Sequence, residues 1–167
     1  MATAVGAGFE ALLERHQDEL YRYLVRLARD EQVARDLLQE TFLRAFRAYG
    51  RLDERDAHRA WLYRIAHNLY LNSLRRRPAE RLDGLVAEPA GSRADDPATI
   101  AEGRETLAAV ERAIARLPLR QRAALLLRRV QDLGYAEVGA ALGCSEETAR
   151  AHVYQAIRTL RHALEEA

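Results

Sequence analysis

The chain has 167 residues, 49% of them hydrophobic and 31% charged, with a formal net charge of +1. That is enough for one ordinary domain or two small ones, and too apolar for a disordered chain. No apolar run approaches the roughly 18 residues of a membrane span, and Met1 to Gly8 lacks the basic-then-apolar layout of a signal peptide, so neither membrane insertion nor secretion is expected.

Apolar residues at three- and four-residue steps predict a first helix through Phe9, Leu12, Leu13, Leu20, Tyr23, Leu24 and Leu27. After Asp30, whose carboxylate suits an N-cap, a second stripe runs Val33, Leu37, Leu38, Phe42, Ala45, Phe46 and Tyr49. Within that helix Asp36, Gln39 and Glu40 lie inside one turn of each other and form a compact acidic, amide-bearing patch. A polar stretch from Gly50 to Arg59 breaks the pattern. The third helix, Ala60 to about Arg77, carries Trp61, Leu62, Ile65, Ala66 and Leu69, with Pro78 just past its end. Its aromatic, amide and Arg groups could stack on and hydrogen-bond unpaired bases, although a Trp more often belongs to a core. No strand-like alternation is present.

From Pro78 to about Thr99 the periodicity disappears and Pro78, Pro89, Gly91, Ser92 and Pro97 collect, as in a flexible linker. The charge changes with it. Residues 1–77 hold 14 Arg against 11 acids and residues 104–167 hold 10 against 8, whereas 78–103 hold only Arg81 and Arg93 against six acids. Two mildly basic blocks thus flank an acidic connector. Every basic residue counted is Arg, whose fork suits phosphates and base edges; a GC-rich genome would produce the same bias.

Helical spacing returns with Leu107, Val110, Ile114 and Leu117, stops at Pro118, and resumes through Leu125, Leu127 and Val130. The most specific local pattern follows. A short helix from Tyr135 to Leu142 ends at Gly143, and Ser145 is placed to cap a second helix whose first turn holds Glu146 and Glu147. That helix has an inward stripe of Ala149, Val153, Ile157 and Leu160. Its other face offers Arg150, Ala151, His152, Tyr154, Gln155 and Arg158. This is the helix-turn-helix layout, whose second helix lies in the DNA major groove. Small Ala140 and Ala141 would permit close helix packing, and Arg150 and Gln155 can make bidentate contacts to guanine and adenine edges. Arg120, Arg122, Arg128 and Arg129 lie upstream, where a supporting helix would meet phosphates.

Four stretches in this order resemble the extracytoplasmic-function (ECF) subgroup of bacterial sigma factors. They are D-L-L-Q-E-T-F at Asp36 to Phe42, W-L-Y-R-I-A-H-N at Trp61 to Asn68 continuing to Arg75-Arg76-Arg77, L-P-L-R-Q-R at Leu117 to Arg122, and the helix-turn-helix. The resemblance covers roughly residues 9–77 and 104–164. It implies an all-α fold of two small helical domains, a region 2-like bundle at 9–77 and a region 4-like helix-turn-helix at 104–164, joined by the flexible acidic linker 78–103. It also implies the function: binding core RNA polymerase and directing promoter recognition, DNA melting and transcription initiation.

Residue roles come with the resemblance. Asp36, Gln39, Glu40 and Phe42 match the surface that docks on the polymerase clamp. The stretch from about Gly50 to Arg59, with Leu52, Trp61 and Asn68, matches the minus-ten reader that captures a flipped base, and Arg75, Arg76 and Arg77 match its backbone-binding arginines. Arg120, Arg122, Arg150, Ala151, His152, Tyr154, Gln155 and Arg158 match the minus-thirty-five reader. The implied partners are core RNA polymerase, through its clamp and flap, and promoter DNA, with an anti-sigma protein a further partner that the family often has. The sequence departs from the family where Leu52 replaces a frequent aromatic, Asn72 a frequent Asp, and His152 and Gln155 usual basic residues.

A helix-turn-helix regulator acting without polymerase would need only residues 104–167 and leaves the two N-terminal runs unexplained. An enzyme is not expected: there is no Gly-rich phosphate loop and no His pair at metal spacing, and Cys144 lacks an evident base. No metal and no cofactor are expected either. The single Cys144 has no disulfide partner, which points to a reducing, cytoplasmic setting.

Overall fold

The computed structural model describes residues 2–52, 58–76 and 97–165, with side chains from 6 and, in the last segment, from 104. The described residues are almost all helical, joined by short turns, and hold no strand. Seven α-helices follow in order: α1 (Ala2–Ala28), α2 (Glu31–Tyr49), α3 (His58–Arg76), α4 (Pro97–Arg116), α5 (Leu119–Leu125), α6 (Tyr135–Leu142) and α7 (Glu146–Glu165). A π-helical turn, Leu126–Val130, extends α5. Most of the expected linker, like Arg77, lies outside the described residues, while α4 begins at Pro97, upstream of the block expected from 104. Proline suits a first helical turn because its missing N–H has no partner to lose there.

Local chemistry sets the boundaries. Asp30 caps α2 by accepting from the Gln32 and Val33 amides at 2.8 and 3.0 Å. The Glu137 carboxylate returns to the Gly134 amide at 2.8 Å, closing the start of α6. Gly143 ends α6 in the left-handed region at φ 68°, which a side chain would oppose. Ser145 Oγ then accepts from the Thr148 amide at 3.1 Å and starts α7.

The helices α1 to α3 pack on one another, as do α4 to α7, and a continuous cluster of buried side chains includes residues of both sets. Leu20, Tyr23, Leu24, Leu27, Leu62 and Tyr63 form its N-terminal part; Leu126, Leu127, Leu133, Val138 and Val153 form its C-terminal part. The two sets meet where α3 lies against α6 and α1 against the π-helical turn. Three stripe positions depart from the sequence expectation: Phe46, Leu107 and Val130 are exposed, not inward. Phe46 sits at the edge of the α2 stripe and meets the core ring of Phe9 edge-on, 5.3 Å between ring centroids. The π-helical turn, closed by Gln131 N–H to Leu126 O at 3.1 Å, adds a residue to the turn and rotates Val130 outward.

Candidate nucleic-acid and polymerase interface

Three surfaces carry the expected site residues. On α2, Asp36 and Gln39 are exposed and Glu40 is half-exposed, held by Arg44 at 2.7 Å. Asp36 accepts from the Gln32 side chain at 3.1 Å. Phe42 is directed elsewhere, half-buried against the core, so it anchors the helix behind the patch. Sequence reasoning missed two members of the surface, Leu43 and Phe46, which are 53% and 55% exposed. Leu43 follows Asp36 and Gln39 at helical spacing, so the outer face of α2 is acidic at one end and apolar at the other. The available sign was the excess of large apolar residues over what one inward stripe of α2 can bury.

On α3 the inner face is sealed by Tyr63, Ala66, His67 and Tyr70. The outer face runs through Trp61, Arg64, Asn68, Asn72 and Arg75, which recur at three- and four-residue steps; Trp61 is half-buried against the core and the others are exposed. Asn68 and Trp61 do share a face, as their seven-residue separation implies. Arg76 is exposed too, and Arg77 lies outside the described residues. Leu52 is half-buried in the bend after α2. The central part of the expected base-capturing stretch, residues 53–57, lies outside the described residues.

The third surface is the helix-turn-helix of α6 and α7. Arg150, Ala151, Tyr154, Gln155 and Arg158 are exposed, Tyr154 at 68%. Arg150 pairs with Glu146 at 2.9 Å, one turn back. Gln155 accepts from the Gln121 side chain at 3.2 Å, linking α7 to α5. His152 is half-buried, and its Nδ1 has no hydrogen-bond partner. Burial first, and the positive charge of Arg120 second, hold it below the usual histidine range, so it is neutral near pH 7. Arg120 is exposed, whereas Arg122 is half-buried and donates to the Ala115 carbonyl at 3.2 Å, bracing the turn between α4 and α5. The close approach of the two helices rests on Gly139: a Cβ there would stand 2.7 Å from the Cys144 carbonyl oxygen. Of the alanines expected to serve this role, Ala141 is buried and Ala140 is exposed.

The N- and C-terminal helices are joined by polar contacts as well. Arg59 grips both oxygens of Glu19, at 3.0 and 2.7 Å, and donates to the backbone carbonyl of Gln131 across the boundary. His16 adds a 2.6 Å contact to Glu19. Burial raises the Glu19 pKa, but the hydrogen bonds and charges of Arg59 and His16 outweigh it and hold the carboxyl below its usual range. Nearby, His67 is buried beside the Tyr23 hydroxyl, 3.4 Å away. Burial, with a smaller contribution from Arg120, lowers its pKa to about 4.

Residues 12–79 match the model of Sigma-70 region 2, and residues 107–160 match that of Sigma-70, region 4. The RNA polymerase sigma-H factor of Pseudomonas aeruginosa is 31% identical over 166 residues, with 94% of this chain and 86% of that protein covered. The ECF RNA polymerase sigma factor SigE of Mycolicibacterium smegmatis is 34% identical over 155 residues, and the match takes in 92% of this chain but only 60% of that longer protein. The chain belongs to the ECF sigma factors. Its fold is shared with the sigma factor RpoE solved in complex with the anti-sigma factor NepR from Bartonella quintana, at a TM-score of 0.76 and 23% identity over 95% of this chain and 97% of that one. Within this sigma factor the two matched regions contain all three candidate surfaces: α2 and α3 in region 2, and α7 in region 4. Among the described residues no helix is long and apolar enough to cross a membrane, and no group of three or more His, Cys, Asp or Glu could hold a metal ion.

Proposed function

We propose that this sigma factor docks on core RNA polymerase through the outer face of α2 and brings promoter DNA to it through α3 and α7, the polymerase supplying all of the chemistry. Residues 9–77 and 104–164 act as separate units joined by 78–103, in the cytoplasm. The observation that carries this reading is that one chain presents two unlike exposed faces. Asp36, Gln39, Leu43 and Phe46 on α2 suit a protein surface, combining apolar area with charge. Arg150, Tyr154 and Arg158 on α7, behind a complete helix-turn-helix, suit a major groove.

Asp36, Gln39 and Glu40 make the polar contacts to the polymerase clamp, with Phe42 behind them. Asn68, with Trp61 and Leu52 near it, receives one unstacked minus-ten base, because its amide both donates and accepts. Arg75, Arg76 and Arg77 hold the adjoining backbone. A pocket for the extruded base offsets an unstacking cost of a few kcal/mol. Arg150, Ala151, Tyr154, Gln155 and Arg158 meet the minus-thirty-five duplex, with Arg120 toward its phosphates. Arg122 and His152, both half-buried, support that surface from behind.

The compact arrangement must open for this. Elements about 25 base pairs apart lie about 85 Å apart along B-form DNA. A compact chain of this length has a radius of gyration of only about 15 Å. Opening breaks the Arg59 contact to Gln131, and a protein that clamps α3 against α6 would hold the sigma factor inactive. The sigma factor RpoE, which shares this fold, was solved in complex with an anti-sigma factor, NepR.

A pull-down on immobilised core polymerase tests the docking surface. Asp36→Arg and Gln39→Ala each weaken capture while leaving helicity and melting unchanged. Unaltered capture of a folded Asp36→Arg protein removes α2 from the interface. Binding of promoter duplex by the chain alone, with no affinity for polymerase, favours instead a regulator that acts without docking.

A further inference from the structure

Tyr135 opens α6, and two guanidinium groups converge on its ring. Arg150 of α7 places Cζ 4.3 Å from the ring centroid, and Arg128 of the π-helical turn places Cζ at 5.1 Å. The ring is half-buried and packed against the core, so it is a fixed surface and not a loose tip. Arg128 is held in turn by the Asp132 carboxylate at 3.1 Å and the Leu133 carbonyl at 3.4 Å. Arg150, by contrast, is exposed, and besides the ring it pairs with Glu146.

We propose that Tyr135 is a positioning residue for DNA readout, its ring holding the Arg150 guanidinium in place for a base edge in the major groove. This rests on the reading of α7 as the recognition helix. A guanidinium attracted to an aromatic ring uses its face, which leaves the in-plane N–H groups free for the paired acceptors of guanine. The Glu146 contact is different in kind. It occupies an N–H edge with a negative charge that DNA phosphates oppose, so it yields when the helix enters the groove. The ring contact carries no such conflict and persists. Tyr135 thereby turns a flexible side chain into one with a set direction before DNA arrives, and Arg128 helps hold the ring that sets it. The ring therefore acts on discrimination at one base pair and leaves general affinity nearly untouched.

The test uses the full chain with core polymerase on a promoter found by start-site mapping, its upstream element randomised, and reads the base preference of transcribed templates. Arg150→Ala flattens the preference at one position. Tyr135→Leu, which keeps apolar bulk without a π face, reduces preference at that same position by about two- to fivefold, the factor an exposed cation–π contact carries. Tyr135→Phe retains it, and adding Tyr135→Leu to Arg150→Ala causes no further loss. The inference is overturned if a folded Tyr135→Leu protein keeps the preference that Arg150→Ala abolishes, if it weakens all positions equally, or if Tyr135→Phe fails as Tyr135→Leu does. An Arg150→Ala protein with unchanged preference everywhere overturns the recognition-helix reading itself, and this inference with it.

Discussion

Replacing Gly139 with alanine sets two effects of opposite sign against each other. Gly139 is buried in the middle of α6, where alanine is better suited to a helix by about 1 kcal/mol. Propensity alone therefore predicts a more stable protein. The new Cβ, however, would stand 2.7 Å from the Cys144 carbonyl oxygen and 3.2 Å from the Ser145 carbonyl carbon and oxygen. All three are backbone atoms of the turn, which cannot swing aside as a side chain would. The turn must move, and with it the Ser145 cap and the start of α7. Overpacking of this kind costs about 1–3 kcal/mol, and the rigid target argues for the upper end. The net result is a loss of roughly 2 kcal/mol, or about 4–8 °C in Tm for a chain of this size. Gly50 is the control. Nothing lies within 4 Å of a Cβ there and its φ is −67°, so Gly50→Ala is neutral or stabilising by up to about 1 kcal/mol. Urea and thermal denaturation of both variants measure this. A Gly139→Ala protein as stable as the parent would refute the tight approach of α6 to the turn.

Three further outcomes follow from the geometry. His67 stays neutral in the fold with a pKa of about 4 against 6.5 when unfolded, so the unfolded chain binds more protons in between and stability falls as pH drops from about 6.5 to about 4, by up to about 3 kcal/mol; a His67→Gln protein whose urea midpoint falls as steeply over that range would contradict this. Because Glu19 is held below its usual range, the contact it makes with Arg59 is lost only at more acid pH, and Arg59→Ala loosens the arrangement at neutral pH, seen as a larger radius of gyration by small-angle scattering; an unchanged radius would mean that the apolar contact of α3 with α6 suffices alone. Asn68→Ala leaves polymerase binding and closed complexes intact but impairs opening of duplex promoters, and a pre-melted bubble rescues initiation without restoring the base preference; permanganate footprinting that finds normal opening and normal preference would take Asn68 out of the site.

What the sequence made legible was local. Asp30 as a cap, Gly143 in the left-handed turn and Ser145 at the start of α7 depend on residues within four positions, and each appears as expected. The inward stripe of α1 was equally legible, because a helix face buried on one side repeats every three or four residues. Features requiring distant partners were not. Nothing near Arg59 names Gln131, 72 residues away, and nothing near Tyr135 names Arg150. Phe46 was expected inside because periodicity weighs hydrophobicity and cannot tell a core contact from a docking surface. Ala140 and Ala141 stand out in the sequence by their size, whereas the importance of Gly139 lies in a carbonyl that only the folded turn brings near it. For the site, helix spacing placed Asp36, Gln39, Asn68, Arg150 and Tyr154 on outer faces, but His152 and Arg122 are drawn inward by α5 and α4, elements whose position the pattern does not encode.

The measurement that bears most directly on the central reading is start-site mapping in a reconstituted system: genomic DNA of the host, core polymerase, and the purified chain, each omitted in turn. New start sites should appear only when chain and polymerase are present together, all preceded by two shared sequence elements at a constant spacing. Identical start sites with and without the chain, or promoter binding by the chain that does not need polymerase, would contradict the assignment of α2 as a docking face and of α3 and α7 as promoter readers.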